Sequence, residues 1–316
     1  MAVFTEVSEQ QARDLLTELS LGELVSLEGI SSGIENTNYF LTTDQGEYVL
    51  TLFERLTRDQ LPFYLHLMKH LAEQGIAVPA PQANAQGEIL LSVGDKPAAV
   101  VNRLAGSSQL SPSAAHCQAM GTTLAQMHLA ARSYGQQQPN LRGLSWWNQT
   151  VPEILPFLNN TQAQTLQHEL AFQNHIQTSG SYAALPQGAV HADAFRNNVM
   201  FVDDQLSGVF DFYFAGVDTW VFDLGVCLND WCIDLASGAF DADRLSAMLL
   251  GYTDVRPLSG AERALFNPML RAAALRFWIS RLWDFHLPRE ASLLQAHDPG
   301  HFERVLLERL HNPVTL

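Results

Sequence analysis

The chain has 316 residues, of which 47% are hydrophobic and 16% are charged, and its formal net charge at pH 7 is −15. This length and composition predict a protein folded throughout in two lobes, because a single core rarely grows beyond about 250 to 300 residues. The acidic balance disfavours nucleic acid as a partner, since phosphate backbones are bound through Lys and Arg. The sequence has neither a signal-peptide pattern nor an apolar run of membrane-spanning length, so we expect a cytoplasmic protein that binds no membrane.

The three cysteines, Cys117, Cys227 and Cys232, lie in apolar sequence. They are too few for a disulfide framework, and they lack the short spacing of zinc ligands. The pattern predicts buried thiols in a reducing compartment. A redox or metal role is the alternative.

Residues 1–101 predict a first lobe built on a small, mainly antiparallel sheet. Ser8 and Gln11 are spaced for a capping box at the start of an N-terminal helix. Three strands are expected within residues 24–54, an amphipathic helix over residues 58–74, and two more strands over residues 88–92 and 98–101. Residues 102–106 are predicted to form a linker.

The loop between the first two strands, residues 31–38, carries Gly33 among small polar residues. Such a loop can lay backbone N–H groups over phosphates, as glycine-rich kinase loops do. With a single glycine, an ordinary hairpin loop is the alternative.

Residues 107–316 predict a second, mainly helical lobe. A long helix is expected to begin at Ser111-Pro112, followed by helices over residues 147–158 and 161–178, the latter with Thr161 and Gln164 spaced for a capping box. Further helices are expected from Asp218 or Thr219 to Trp231 and over residues 241–251, 259–285 and 299–310. The fold class is therefore α+β, with two lobes.

Residues 188–214 concentrate polar side chains within apolar, strand-like sequence. Two short strands, residues 198–202 and 206–211, are expected to pair around a turn at Asp203-Asp204. Asp193 and Asn198 lie before the first strand's apolar run and Asp211 ends the second, so a hairpin brings the three together. The spacing D-x-x-x-x-N, followed by an Asp-Phe pair, is typical of a kinase catalytic loop and its magnesium ligand.

These residue types supply what phosphoryl transfer needs. Asn198 and Asp211 offer the hard oxygen ligands that Mg²⁺ prefers, and Asp193 is suited to accept the proton of an attacking hydroxyl. His191 is expected to support the loop by hydrogen bonding. The alternative is that Asp193, Asn197 and Asn198 only cap turns. Three oxygen donors at this spacing, preceded by a sheet, a linker and a helix, favour a phosphotransferase.

The chain resembles the homoserine kinases that are related to choline and aminoglycoside phosphotransferases, over almost its whole length. The resemblance is carried by the segments SSGIENTNYFLTT, YVLTLFE, MGTTLAQMHLA, LRGLSWW, VHADAFRNNVMF, VFDFYFAG and FDLGVCLNDWC. It implies a two-lobed, protein-kinase-like fold with a small antiparallel N-lobe, ATP between the lobes, and Mg²⁺. It also implies L-homoserine as the small-molecule substrate and O-phospho-L-homoserine as the product, in threonine biosynthesis.

The resemblance also implies roles for single residues. Asp193 corresponds to the catalytic base, and Asn198 and Asp211 to the magnesium ligands. His191, His128 and Asp223 correspond to residues that support the catalytic lobe. The implied nucleotide contacts are Gly33, Asn36 and Asn38 in the phosphate loop, Thr51 on the third strand, and Val101 and Arg103 at the hinge.

Two positions depart from the family pattern. Ala192 replaces the glycine of an H-G-D loop, which is tolerable unless this residue needs a positive φ. Thr51 stands where many relatives carry the Lys that contacts the α- and β-phosphates, and the chain has only Lys69 and Lys96. Phosphate charge must then be met by magnesium, loop N–H groups, the Thr51 hydroxyl or Arg55.

The residues that bind the acceptor are the ones that the sequence indicates least clearly. Asp230 and Asp234, expected one helical turn apart, suit an ammonium group, and Arg142 and Arg196 suit a carboxylate; exposed helix charges are the alternative. The six tryptophans suggest either core packing or an aromatic box for a quaternary ammonium. Other acceptors therefore stay open, namely choline, an aminoglycoside or a methylated sugar, as does a non-catalytic nucleotide-binding regulator.

Overall fold

The computed structural model describes residues 5–30, 36–287 and 297–316. The chain divides into two compact units, Met1–Gly106 with Ser207–Phe210, and Ser107–Leu206 with Asp211–Leu316. In the part of the chain that is described, no helix has the length and apolarity required to cross a membrane.

The first unit is built on a five-stranded antiparallel sheet in the order β1-β2-β3-β5-β4. Its elements are α1 Glu9–Leu19, β1 Leu24–Gly29, β2 Thr37–Thr43, β3 Glu47–Leu52, α2 Pro62–Glu73, β4 Leu91–Val93 and β5 Lys96–Asn102. The expected capping box of Ser8 and Gln11 is present at the start of α1. The amphipathic helix begins at Pro62 rather than at residue 58, because proline suits the first helical turn.

The core of this unit lies between α1 and one face of the sheet. Leu15 and Leu16 of α1 are buried with Leu50 and Leu52 of β3 in the same apolar cluster. Because side chains alternate along a strand, Thr51 faces the opposite side of the sheet. The sheet therefore separates this core from the face on which the predicted phosphate contacts lie.

The second unit is mainly helical. Its helices are α3 Ala114–Ala130, α4 Leu144–Ile154, α5 Asn160–Gln177, α6 Gly180–Ala183, α7 Trp220–Trp231, α8 Ala242–Val255, α9 Gly260–Ala264, α10 Phe266–His286 and α11 Gly300–His311. The short strands β6 Gln187–Val190 and β9 Gly216–Thr219 pair antiparallel. The strands β7 Val199–Val202 and β8 Gln205–Val209 form the expected hairpin around Asp203-Asp204, and the end of β8 from Ser207 belongs to the first unit.

Helix α7 lies at the centre of this unit, and every one of its residues is buried. It packs against α10, which in turn packs against α11. Helices α3 and α8 approach closely at Gly121 and Gly251, where an added Cβ would overlap the backbone of the opposite helix. This contact brings His128 of α3 to Tyr252 of α8.

Several predicted boundaries of the second unit were wrong. Asn159 rather than Thr161 caps α5, since its side chain accepts the Gln162 N–H. The helix expected over residues 259–285 is divided at Leu265 into α9 and α10, because Pro268 fits only near a helix start. Strand β9 was not predicted; its four residues precede α7 and are too few for an alternation to be recognised.

The three cysteines are buried, as predicted, and their thiols are free.

Candidate active site

The predicted catalytic loop, residues 191–198, follows β6 and contains Asp193 and Asn198. Asn198 begins the approach to β7, at the end of a short 3-10 turn over Arg196–Asn198. Its Nδ2 donates to the Asp193 backbone carbonyl at 2.8 Å and to Asp193 Oδ2 at 3.2 Å. His191 Nδ1 accepts the Asp193 N–H at 3.2 Å, and the His191 ring lies 4.5 Å from that of Phe212. The loop residues predicted from the sequence are thus held together by direct hydrogen bonds.

Three residues between His191 and Phe212 have a left-handed backbone, namely Ala192, Asp211 and the turn residue Asp203, whose φ is 52°. Ala192 has φ 61° and Asp211 has φ 67°. A non-glycine residue in this conformation costs roughly 1 to 2 kcal/mol, and such strain is concentrated at functional sites. The sequence analysis expected the Ala192 methyl group to be tolerable unless this residue needs a positive φ. Ala192 does have a positive φ, so the chain places a methyl group where glycine is favoured.

Asp193 lies in an unusual electrostatic environment. Burial raises the pKa of its carboxyl to about 7; Arg276 opposes this effect, while Asp211 and Asp230 add to it. The Arg276 Nη1 atom lies 3.8 Å from Asp193 Oδ1. A carboxylate with a pKa near neutrality is well suited to general-base catalysis, because it can both accept and release a proton.

Asn198 and Asp211 are the residues that could hold a metal. Asn198 uses Nδ2 for both of its hydrogen bonds to Asp193, which leaves its Oδ1 as the ligand atom. Among the described residues there is no group of three or more His, Cys, Asp or Glu side chains arranged for a metal. One amide and one carboxylate oxygen fit Mg²⁺, which keeps several waters and takes further ligands from substrate phosphates.

Behind the catalytic loop lies an anchoring network, which we define as Asp223, His128, Tyr252, Arg256 and Glu262. Asp223 accepts the backbone N–H groups of His191 at 3.1 Å and Ala192 at 2.7 Å. It also bonds His128 Nε2 at 3.0 Å. Burial acts to raise the pKa of Asp223, but the His128 hydrogen bond and the charges of His128 and His191 keep it below its usual value.

The network continues away from the loop. His128 Nδ1 bonds the Tyr252 hydroxyl at 2.8 Å, and Arg256 Nε donates to the same hydroxyl at 3.2 Å. Arg256 then forms a buried ion pair with Glu262, which also accepts the Ser259 N–H of the α9 capping box. His128 and Asp223 were predicted as supports, whereas Tyr252, Arg256 and Glu262 were missed because nothing in their local sequence differs from ordinary helix and loop polarity.

The predicted nucleotide contacts lie in the first unit. Asn38 and Thr51 are cross-strand partners on β2 and β3, and the Thr51 hydroxyl donates to Asn38 Oδ1 at 2.7 Å. The Asn36 carbonyl accepts a bond from Asn38 Nδ2 at 3.4 Å. Gly33 lies outside the described residues.

At the other end of the sheet are the two hinge candidates. Val101 is in β5, opposite Val49 of β3. Arg103 follows β5, forms an ion pair with Glu47 at 3.4 Å and stacks on the Phe40 ring.

Lys96 does not take the place of the missing lysine. It forms an ion pair with Glu54 at 2.9 Å. Glu54 also accepts the Thr37 hydroxyl at 2.7 Å, and Thr37 is the cross-strand partner of Leu52, whose side chain lies on the face opposite to Thr51.

The acceptor candidates are not equivalent. Arg196 and Asp230 form a buried ion pair with an Nε to Oδ2 distance of 3.1 Å, so each already has a partner. The prediction that Asp230 and Asp234 lie one helical turn apart was wrong, because α7 ends at Trp231. Asp234 is exposed and accepts the Ser237 N–H and hydroxyl in a turn. Arg142 stacks on the Trp146 ring at 4.4 Å.

Most tryptophans pack in the core. Trp147, Trp220, Trp231 and Trp278 are buried, whereas Trp146 and Trp283 are partly exposed. Trp220 stacks on His128 and lies under the Arg256 guanidinium, so it packs against the anchoring network. The described residues therefore favour core packing over an aromatic box.

Arg276 was missed by the sequence analysis. It is the one charged residue within the apolar run of α10 from Ala272 to Ile279, and its side chain is 4% exposed. A single charge within such a run indicates a special role for Arg276. It was not recognised because the run as a whole has the pattern of a core helix.

A family model described as the phosphotransferase enzyme family matches residues 26–258. The match covers more than half of the chain and contains the catalytic loop and the anchoring residues up to Arg256. The chain belongs to the phosphotransferase enzyme family. The matched range contains Asp193, Asn198 and Asp211.

Two relatives match this phosphotransferase over nearly their full lengths. A homoserine kinase of Polaromonas naphthalenivorans (strain CJ2) is 60% identical over 316 residues, which is 100% of both chains. A homoserine kinase of Janthinobacterium sp. (strain Marseille) is 55% identical over 310 residues, covering 98% of this chain and 96% of that protein.

Solved structures confirm the fold class. An amicoumacin kinase in complex with AMP-PNP, Ca²⁺ and Ami aligns with a TM-score of 0.69 at 17% identity, over 97% of both chains. A Plasmodium vivax ethanolamine kinase aligns with a TM-score of 0.64 at 11% identity, over 98% of this chain and 91% of that one. The expectation of a two-lobed, protein-kinase-like α+β fold was therefore correct.

Proposed function

We propose that this phosphotransferase moves the terminal phosphoryl group of ATP to the side-chain hydroxyl of L-homoserine, forming O-phospho-L-homoserine on the route to threonine in the cytoplasm. The observation that carries the proposal is the 60% identity, over the whole of both chains, to a protein named homoserine kinase. Low-identity structural neighbours act on varied acceptors, so the acceptor assignment depends on this full-length relationship.

Asp193 is the proposed general base. It accepts the proton of the acceptor hydroxyl while the new oxygen–phosphorus bond forms and the bond from phosphorus to the bridging oxygen of ATP breaks. Its pKa of about 7 suits this role at neutral pH. Asn198 orients the carboxylate through the 3.2 Å bond to Oδ2, while His191 and Asp223 hold the loop through its backbone N–H groups.

Asn198 and Asp211 are the proposed magnesium ligands. When bound, Mg²⁺ supplies charge neutralisation to the phosphates. The proposed nucleotide contacts are Asn36, Asn38 and Gly33 of the phosphate loop, Thr51 of β3, and Val101 and Arg103 at the hinge. With Thr51 in place of a lysine, the metal ligands carry a larger share of phosphate binding, so we expect turnover to be abolished by EDTA and restored by added Mg²⁺.

The acceptor assignment is tested by measuring ADP release with L-homoserine, choline, an aminoglycoside and a methylated sugar. We expect kcat/KM for L-homoserine to exceed the others by at least about a hundredfold. Turnover of another acceptor without turnover of L-homoserine would overturn the assignment but keep the phosphotransferase. No turnover with any acceptor, together with intact Mg-ATP binding, would favour the regulator.

The role of Asp193 is tested by Asp193→Asn. We expect kcat to fall at least about a hundredfold, because the base is lost, while Mg-ATP affinity measured by calorimetry persists. Asp203→Asn is the matched control, because Asp203 is an exposed turn residue whose φ of 52° suits asparagine. Unchanged turnover of Asp193→Asn would remove Asp193 from this role.

A further inference from the structure

Arg276 of α10 is a buried cation whose hydrogen-bonding capacity is largely unused. Its Nε and Nη2 atoms are buried and have no hydrogen-bond partner among the residues that the structure describes. Its Nη1 atom is 3.8 Å from Asp193 Oδ1, which is too long for a hydrogen bond. The guanidinium group lies over the rings of Phe277 at 3.7 Å and Phe214 at 5.0 Å.

A charge in this state is unfavourable for folding alone. Buried charges are ordinarily paired and hydrogen-bonded, and an apolar residue of similar size would avoid the loss of hydration. Burial lowers the pKa of Arg276 to about 10, and the nearby charge of Arg142 acts in the same direction against that of Asp193. The ring contacts and the charge of Asp193 offset part of this cost, but among the described residues they leave Nε and Nη2 without hydrogen-bond partners.

The nearby pair of Arg196 and Asp230 provides the contrast. Arg196 Nε donates to Asp230 Oδ2, Nη1 donates to the Leu110 carbonyl at 3.0 Å, and Nη2 donates to the Asp230 carbonyl. All three guanidinium nitrogens have partners, as expected of a structural arginine. Arg276, beside the proposed base, has no such partners for Nε and Nη2 within residues 5–30, 36–287 and 297–316.

The two oxygens of Asp193 face different partners. Oδ2 bonds Asn198, a proposed metal ligand, and Oδ1 faces Arg276. The Asn198 side is thus the side of the metal and the phosphates. An acceptor that delivers its hydroxyl to Asp193 from the Oδ1 side brings its remaining groups towards Arg276.

Building on the proposed function, we propose that Arg276 binds the α-carboxylate of the amino-acid acceptor and so determines the substrate class. A guanidinium group forms paired hydrogen bonds with a carboxylate, which would satisfy the donors that are unpartnered in the structure.

The test compares L-homoserine with 3-aminopropan-1-ol, which keeps the hydroxyl and the ammonium but lacks the carboxylate. For the unmodified protein we expect kcat/KM to favour L-homoserine by at least about a hundredfold. The assays are run at pH 9, well above the pKa of about 7 of Asp193, because the Arg276 charge lowers that pKa and its loss would otherwise slow both acceptors. In Arg276→Met we expect kcat/KM for L-homoserine to fall about a hundredfold, mainly through KM, while that for 3-aminopropan-1-ol changes less than about threefold. Arg276→Lys should recover part of the preference, because it restores charge without the paired donors.

Arg281→Met is the matched control on the same helix. The charges of Asp193 and Arg281 also interact, but the Arg281 guanidinium bonds the Asp298 carbonyl and stacks on Phe302. We expect this variant to keep the preference for L-homoserine. Thermal unfolding of each variant checks the fold, and Arg276→Lys serves alone if Arg276→Met does not fold.

Equal loss of kcat/KM for both acceptors in the Arg276 variants would overturn the inference, since Arg276 would then act on Asp193 or the phosphates. An unchanged ratio with unchanged rates would overturn it as well. Failure of the unmodified protein to phosphorylate L-homoserine would instead refute the proposed function. This turnover is therefore measured before any variant is made.

Discussion

The anchoring network lies behind the predicted catalytic loop, and the pair of Asp193 and Arg276, which we call the reaction face, lies at the loop itself. Both contain carboxylate and guanidinium groups, but these groups are hydrogen-bonded in the network and largely unpaired by hydrogen bonds on the reaction face. In the network, Glu262, Arg256, Tyr252, His128 and Asp223 form a continuous series of hydrogen bonds that ends on the loop backbone. On the reaction face, Asp193 and Arg276 stand 3.8 Å apart, and two guanidinium nitrogens have no partner among the described residues. A satisfied network stabilises one conformation, whereas unsatisfied groups are suited to meet a ligand.

The largest effect on stability is expected at the far end of the network. Glu262→Ala leaves the buried Arg256 without its ion-pair partner and removes the α9 capping box. We expect the free energy of unfolding, measured in urea, to fall by about 3 to 5 kcal/mol. Glu153→Ala, at an exposed position of α4, is the control and should change it by less than about 0.5 kcal/mol. Similar values for both would mean that the network does not stabilise this unit.

A matched pair of substitutions separates the two kinds of arginine. Arg196→Met leaves Asp230 buried and unpaired, so we expect a loss of about 3 kcal/mol in the free energy of unfolding. Arg276→Met removes a buried charge without a hydrogen-bond partner for Nε or Nη2, so we expect a change of less than about 1 kcal/mol, or a gain. Equal losses in the two variants would show that Arg276 is as structural as Arg196.

Tyr252→Phe interrupts the network at its middle. The phenol hydroxyl joins His128 to Arg256, so its loss should lower the free energy of unfolding by about 1 to 2 kcal/mol. Because the network holds the loop and not the substrates, kcat should fall several-fold while both KM values stay constant. Tyr182→Phe is the control, since its hydroxyl takes no part in this network. A change confined to KM would contradict a positioning role.

The smallest effect is expected at the strained loop position. Ala192→Gly relieves the cost of φ 61° but increases the entropy of the unfolded chain, so a net gain of about 0.5 kcal/mol in the free energy of unfolding is expected. Because Asp223 still holds the loop, kcat should change less than about twofold. Ala194→Gly in the same loop, fully buried and without a positive φ, should instead destabilise the protein.

Much of this molecule was predictable from local sequence. Strand alternation and capping residues indicated the five strands of the first unit and the box at Ser8. The D-x-x-x-x-N spacing indicated that Asp193 and Asn198 belong to one loop, because a few residues of chain limit how far apart they can lie. The helix divided at Leu265 and the cap of α5 were wrong because propensity and capping patterns locate helix ends only approximately.

The acceptor side could not be predicted in the same way. Arg196 and Asp230 were separate candidates for opposite substrate groups, but the fold pairs them with each other. Asp230 and Asp234 shared a helical spacing, but α7 ends between them at Trp231. Arg276 had no motif at all. In each case the decisive fact is a partner distant in the chain or the end of an element.

The sequence alone thus determined the α+β class, the strands of the first unit and the closeness of Asp193 to Asn198, because these depend on short-range periodicity and spacing. Only the tertiary structure decided which charges are paired and which are not. Asp193 and Arg276 are brought to 3.8 Å by the packing of α10, and His128 reaches Tyr252 through the close contact of α3 and α8. Pairing over such separations is set by how whole helices pack, which no local pattern records.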